Sequence, residues 1–166
     1  AKFQISNGEI YDASVSGIIK SYNGQAGEKN ATYNKDEVTG IIVENESTGI
    51  YGTYNSDISN RGLVDVGDKS SIRLGSAYIR TSIEEDKVDE FSINILNIDY
   101  RDETKNILFE IVDDRLINTT GGVVQGMSGS PIMQDGKIIG VVNYVIVNEP
   151  TKGFGIFIES MLKEIE

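Results

Sequence analysis

An all-β barrel or sandwich is the fold class this sequence predicts, and two observations predict it. Apolar residues recur with strand period in short bursts, and turn-forming residues separate each burst from the next. Eighteen glycines and only two prolines suit that rhythm, because many short strands need many turns. A chain of about 150 residues buries ~70% of its unfolded surface on folding, so 166 residues suffice for one domain. Neither an internal repeat nor a linker-like change of composition divides residues 1–166.

In chain order, strands are expected over Asp12–Lys20, Glu37–Val43, Ser71–Arg80, Glu90–Ile98, Asn106–Val112, Lys137–Val147 and Gly153–Glu159. Asn7-Gly8, Asn23-Gly24 and Asp135-Gly136 have the chemistry of hairpin turns, since these residues tolerate positive φ. Asp135-Gly136 is the clearest, lying just before KIIGVVNYVIV. Residues 21–36 are the most polar stretch and read as an exposed loop. The charge run Glu84–Glu90 (EEDKVDE) reads as a solvated hairpin end. One helix is expected, at Glu159–Glu166 (ESMLKEIE).

Fifteen basic against 26 acidic residues give a net charge of −11. That field repels phosphate backbones, so no nucleic-acid partner is expected and a neutral or basic partner is. With neither Cys nor His, disulfides, thiolate sites and transition-metal chemistry drop out, and no cofactor or metal is expected. No apolar run reaches the ~20 residues of a membrane helix, and no signal peptide opens the chain.

Chemistry concentrates in Gly126-Met127-Ser128-Gly129-Ser130-Pro131. A serine attacks a carbonyl well when a sharp turn holds it, with backbone N–H groups aimed at the developing oxyanion. Gly126 and Gly129 permit such a turn, and the N–H groups of Gly126 and Ser128 could form the oxyanion hole. Ser130 is a rival nucleophile, but the flanking glycines centre Ser128 on the turn. The same six residues also read as a glycine-rich turn whose serines cap backbone groups.

The run Thr120–Glu159, TGGVVQGMSGSPIMQDGKIIGVVNYVIVNEPTKGFGIFIE, resembles the SpoIVB-type sporulation peptidases in the C-terminal part of their peptidase domain. That family's serine loop reads TGG-(I/V)-VQGMSGSPI, followed by an NGK or DGK hairpin and a VN-(D/E)-PT-x-GYG stretch. NGQAGEK (23–29), GIYGTYN (49–55) and EEDKVDEFSINI (84–95) resemble further family blocks, so the likeness covers nearly the whole chain. It implies a chymotrypsin-like double β-barrel, with the first barrel incomplete here, and an endopeptidase with a Ser-His-Asp triad. It also implies action in the intermembrane space around the forespore, in a membrane-tethered parent protein that carries a PDZ module upstream. The implied substrate is a membrane-bound regulator whose cleavage triggers activation of a late sigma factor. The serine carries over to Ser128. The family's acidic partner lies in a (V/I)-x-D-x-RL box fifteen residues earlier; here that box is Ile111–Leu116, and 128 − 113 = 15 places the role on Asp113. Read without the family, Asp113-Asp114 would be a polar strand end with Arg115 as counter-ion.

The family's histidine box, G-(A/x)-LGH-x-ISD, has no counterpart in this histidine-free chain. The expectation is that residues 1–166 start just after it, so that the base for Ser128 comes from outside this chain. Lys137 and Lys152 are the sequence-adjacent substitutes, and exposure at turns would keep both protonated. Tyr144 stands where the family often has a second histidine, on a strand expected to border the cleft. Two non-catalytic readings remain beside the peptidase: a pseudoprotease that binds an extended peptide by strand addition, and a plain structural β-domain.

Overall fold

Strand pairing in the computed structural model, which describes residues 7–166, divides the chain into an open sheet and a closed barrel. The open sheet holds β1 (Gly8–Ile19), β2 (Gly27–Glu46) and β3 (Gly49–Tyr54) in antiparallel order β1-β2-β3. After β4 (Asp65–Val66) come β5 (Gly75–Glu84), β6 (Lys87–Ile98) and β7 (Ile107–Ile111). The helix α1 (Asp114–Thr120) and the short β8 (Val124–Gln125) follow, then β9 (Pro131–Gln134), β10 (Lys137–Val145), β11 (Lys152–Phe157) and α2 (Ile158–Leu162). Six of these strands close into a ring in the order β10-β11-β7-β6-β5-β9, with β9 returning to β10. Every pairing in the ring is antiparallel, and β4 adds a short parallel edge on β10. The fold is thus all-β with one closed barrel, a second sheet and a short C-terminal helix, as expected.

The core lies inside the ring. Alternating residues of β5, β6 and β7 point inward: Ala77 and Ile79, then Phe91, Ile93 and Ile95, then Ile107, Phe109 and Ile111, all buried. This period of two made those strands readable. Asp135 and Gly136 take φ 53° and 75° between β9 and β10, the two positive angles that a two-residue hairpin requires. Asn23-Gly24 likewise makes a tight turn closed by Tyr22 and Gln25. Glu85-Asp86 turns between β5 and β6 inside the expected charged hairpin end.

Several expectations are corrected. Residues 27–36 are strand, part of the 20-residue β2, and not an exposed loop. Most side chains of β2 are exposed on both faces, so no apolar alternation marks a strand that its backbone pairing with β1 nevertheless builds. β3 falls outside every expected strand. The strand expected from Ser71 starts at Gly75 and runs on to Glu84, because a 3-10 turn capped by Asp68 occupies Lys69–Ser71. Asn7-Gly8 leads into β1 rather than turning a hairpin; any arm before it lies outside the described residues. The C-terminal helix is shorter than expected, α2 giving way to a 3-10 turn over Lys163–Ile165.

The helix α1 was not expected either. Asp113 caps it, its side chain accepting from the Arg115 N–H, and Gly121 ends it at φ 72°. These are the standard start and stop of a helix. Between them Asn118, Thr119 and Thr120 are weak helix formers, and burial of Leu116 against the barrel holds the turn in place.

Candidate active site

The serine loop spans the seam between the two sheets. Before it, β8 pairs in parallel with the start of β2, Gly27 opposite Val124 and Glu28 opposite Gln125. After it, β9 enters the barrel wall between β5 and β10. Met127, fully buried, anchors the loop in the core. Four backbone bonds shape it: Met127 N–H to Val124 O, Ser130 N–H to Met127 O, Gly129 N–H to Val142 O and Val142 N–H to Ser130 O, at 2.8–3.1 Å. The N–H groups of Gly126 and Ser128 take no part in these bonds. Gly126 and Gly129 adopt φ 95° and 88°, values that cost an L-residue about 1–2 kcal/mol.

Ser128 is exposed and faces a largely apolar cleft of about 350 Å³. Thr48, Gly49 and Ile50 at the β2–β3 turn wall one side, and Val141, Ile156 and Met161 the other. Asn143 also lines it; its Nδ2 donates to Thr104 O at 2.6 Å, while its buried Oδ1 has no partner. Ser128 and Gly129 thus border a hollow that could take an apolar side chain, and Gly126 lies two residues before Ser128 on the same loop. Tyr144 is not among the cleft residues; it is exposed, and the Lys105 ammonium lies 4.9 Å from its ring centre.

Asp113 occupies a different network. Its Oδ1 accepts from the Arg115 N–H and Nε, and its Oδ2 from the Ser92 N–H and Arg115 Nη2, at 2.9–3.1 Å. The Arg115 fork comes first among the causes that hold its carboxyl down at about 2, so the group is ionised throughout the neutral range. Arg115 in turn donates to Glu90 O at 2.7 Å and lies over the Phe91 ring. Among the described residues no hydrogen bond joins Asp113 to Ser128. The Arg115 counter-ion and helix cap are what the residues themselves suggest; an orienting role is an addition to that work.

Of the two lysines considered from sequence, Lys137 is exposed at its hairpin, and Lys152 is tied to Glu149 at 2.9 Å, which raises its pKa. The lysine that reaches the serine loop is Lys29 on β2. Its stem lies against Gly126, where an added Cβ would sit 3.1 Å from the Lys29 Cβ. Its Nζ donates to Thr81 Oγ1 at 2.6 Å, and Ser130 Oγ donates to the same oxygen at 3.1 Å. Sequence alone does not find it, because the wet faces of β2 leave no strand period and 52 positions separate Lys29 from Thr81.

A closed barrel with a second sheet docked at the serine loop fits an all-β, double-barrel fold. The family comparison makes this particular: the model of the SpoIVB peptidase S55 family matches residues 1–162, and the chain belongs to that family. No curated protein matches the chain.

Proposed function

We propose that this chain is the serine-bearing part of a serine endopeptidase whose histidine comes from outside residues 1–166. Ser128 Oγ attacks the scissile carbonyl, and the N–H groups of Gly126 and Ser128 receive the oxyanion. The histidine takes the serine proton and returns it to the leaving amine, and Asp113 orients its imidazole. An imidazole N–H reaching Asp113 would replace one of the bonds from Arg115, whose side chain is 63% exposed and can withdraw into water. The observation that carries this reading is the exposed Ser128 over an apolar cleft, with two backbone donors beside it that the loop leaves unused. Family membership supports the finer reading: an extracytoplasmic, membrane-tethered enzyme that cleaves a membrane-associated regulator in sporulation signalling. The acidic surface suits a neutral or basic cleavage segment.

Fluorophosphonate labelling tests it. Ser128 in the chain alone is expected to label slowly, and an added histidine-bearing segment is expected to accelerate labelling about 10²-fold or more, the usual size of a general-base contribution. Rapid labelling of Ser128 with no added segment would remove the dependence on an outside histidine. The open sheet favours one second reading, a peptide-binding module that accepts a strand at an edge. Retained binding together with unchanged substrate processing in Ser128→Ala would establish it.

A further inference from the structure

Lys29 is an unusual lysine. It is half-buried, and burial alone lowers its pKa to about 8. The groups facing it are uncharged: Thr81 from β5, Gly126 from the serine loop, and Ile18 in register on β1. Glu28, its neighbour along β2, is exposed. Asp89, opposite Thr81 on β6, pairs instead with Lys87 at 3.1 Å. No carboxylate lies within ion-pair distance of Lys29 among the described residues. A half-buried ammonium without a counter-ion carries a desolvation cost, and a structural role at this seam could be filled by an apolar side chain. What a desolvated lysine gains over one is a neutral amine near physiological pH, able to take a proton.

The geometry supplies a donor for that proton. Thr81, 5% exposed, stands between Lys29 Nζ and Ser130 Oγ at 2.6 and 3.1 Å. Ser130 is half-buried and its backbone is bonded on both sides, N–H to Met127 O and C=O from Val142 N–H, so its hydroxyl is held in one place.

We propose that Lys29 is a proton acceptor built into this chain, serving Ser130 through the Thr81 hydroxyl and making Ser130 a histidine-independent nucleophile toward small activated esters. Ser130 Oγ bonds to the acyl carbon; its proton passes to Thr81 Oγ1 while the Thr81 proton passes to Lys29 Nζ. The bond to the leaving alcohol breaks, and the alkoxide recovers the proton by the reverse path. Water then attacks the acyl carbon and gives one proton to the same relay; the bond from that carbon to Ser130 Oγ breaks, the relay returns the proton to Ser130 Oγ, and the acid leaves. The half-buried position of Ser130 limits the substrate to small electrophiles, in contrast to the polypeptide proposed for Ser128. The inference is independent of that reading.

A small fluorophosphonate traps the first step, a P–F bond breaking in place of the ester bond. Labelling of the whole chain is measured from pH 6 to 10, and the modified serine is located by peptide mass spectrometry. Label on Ser130 is expected, with a rate rising about tenfold between pH 7 and 9 around a midpoint near 8, and falling about 10²-fold in Lys29→Met. Thr81→Val should flatten the profile in the same way. Should either variant fail to fold, the pH profile of the unaltered chain decides. Label confined to Ser128, a flat profile at Ser130, or a rate unchanged in folded Lys29→Met overturns the proposal. Acceleration of Ser128 labelling by a histidine-bearing segment tests the endopeptidase separately, because the two serines are resolved by mass.

Discussion

Asp113 accepts four hydrogen bonds from two partners and caps a helix, so its ionised form is stabilised by folding. Its folded pKa is depressed below the ordinary carboxylate range, to about 2. The stabilisation is therefore present in full above the unfolded value and is lost as pH falls from about 4 toward 2. Allowing for solvent screening of the exposed Arg115, it amounts to about 1–2 kcal/mol. Thermal melts of the wild type should drop across that window, and melts of Asp113→Asn should lack that part of the drop. At the serine loop, Gly126→Ala and Gly129→Ala both force an L-residue to positive φ, at about 1–2 kcal/mol each. Only Gly126→Ala presses on the Lys29 stem, since open space surrounds an added Cβ at Gly129. Denaturant titration should therefore find Gly126→Ala the more destabilised of the two.

Among the elements, α1 shows how little local signal a tertiary contact needs. Its last residue is followed by Gly121, where a Cβ would stand 2.3 Å from Ser21 O, backbone that a rotamer change cannot move. Ser21 is itself buried; its Oγ donates to Val123 O at 2.9 Å and accepts from Gly27 N–H at 2.8 Å, and its N–H donates to Thr120 O. One serine thus ties β1, β2 and the α1–β8 connection together. Gly121→Ala is expected to cost more than ~3 kcal/mol, strain and clash combined. Ser21→Ala should cost about 1–3 kcal/mol, for the two buried backbone groups left without partners. Equilibrium unfolding measures both, and equal losses would refute the close approach at Gly121. The sheet strand β2 carries the opposite lesson to the barrel strands: with both faces wet, it has strand pairing without strand periodicity.

At the scale of the molecule, the two sheets are unequal. The core cluster lies wholly between Ile72 and Phe157, and the first sheet leaves Ile19, Tyr33, Val38, Ile41, Val43 and Ile50 exposed. Such a surface gains stability from any segment that covers it. The histidine-bearing segment invoked for Ser128 should therefore raise the melting temperature in a concentration-dependent way as well as accelerate labelling. A segment that accelerates labelling but leaves the melting temperature unchanged at saturation would show that it does not dock on this sheet.

Two kinds of information met at the serine loop. The sequence alone marks β5, β6 and β7 of the barrel, because their inward residues alternate with period two, and it marks the turn at Ser128, because glycines alone occupy its positive-φ positions at little cost. It also pointed to the Arg115 pairing of Asp113, which is local. The tertiary structure alone decided that β8 pairs with β2, that the first sheet stays open, and that Lys29, Thr81 and Ser130 share one hydrogen-bonded chain. Those contacts join residues from 49 to 97 positions apart. Such contacts leave no period in the sequence, because only the closing of the barrel brings their side chains within reach.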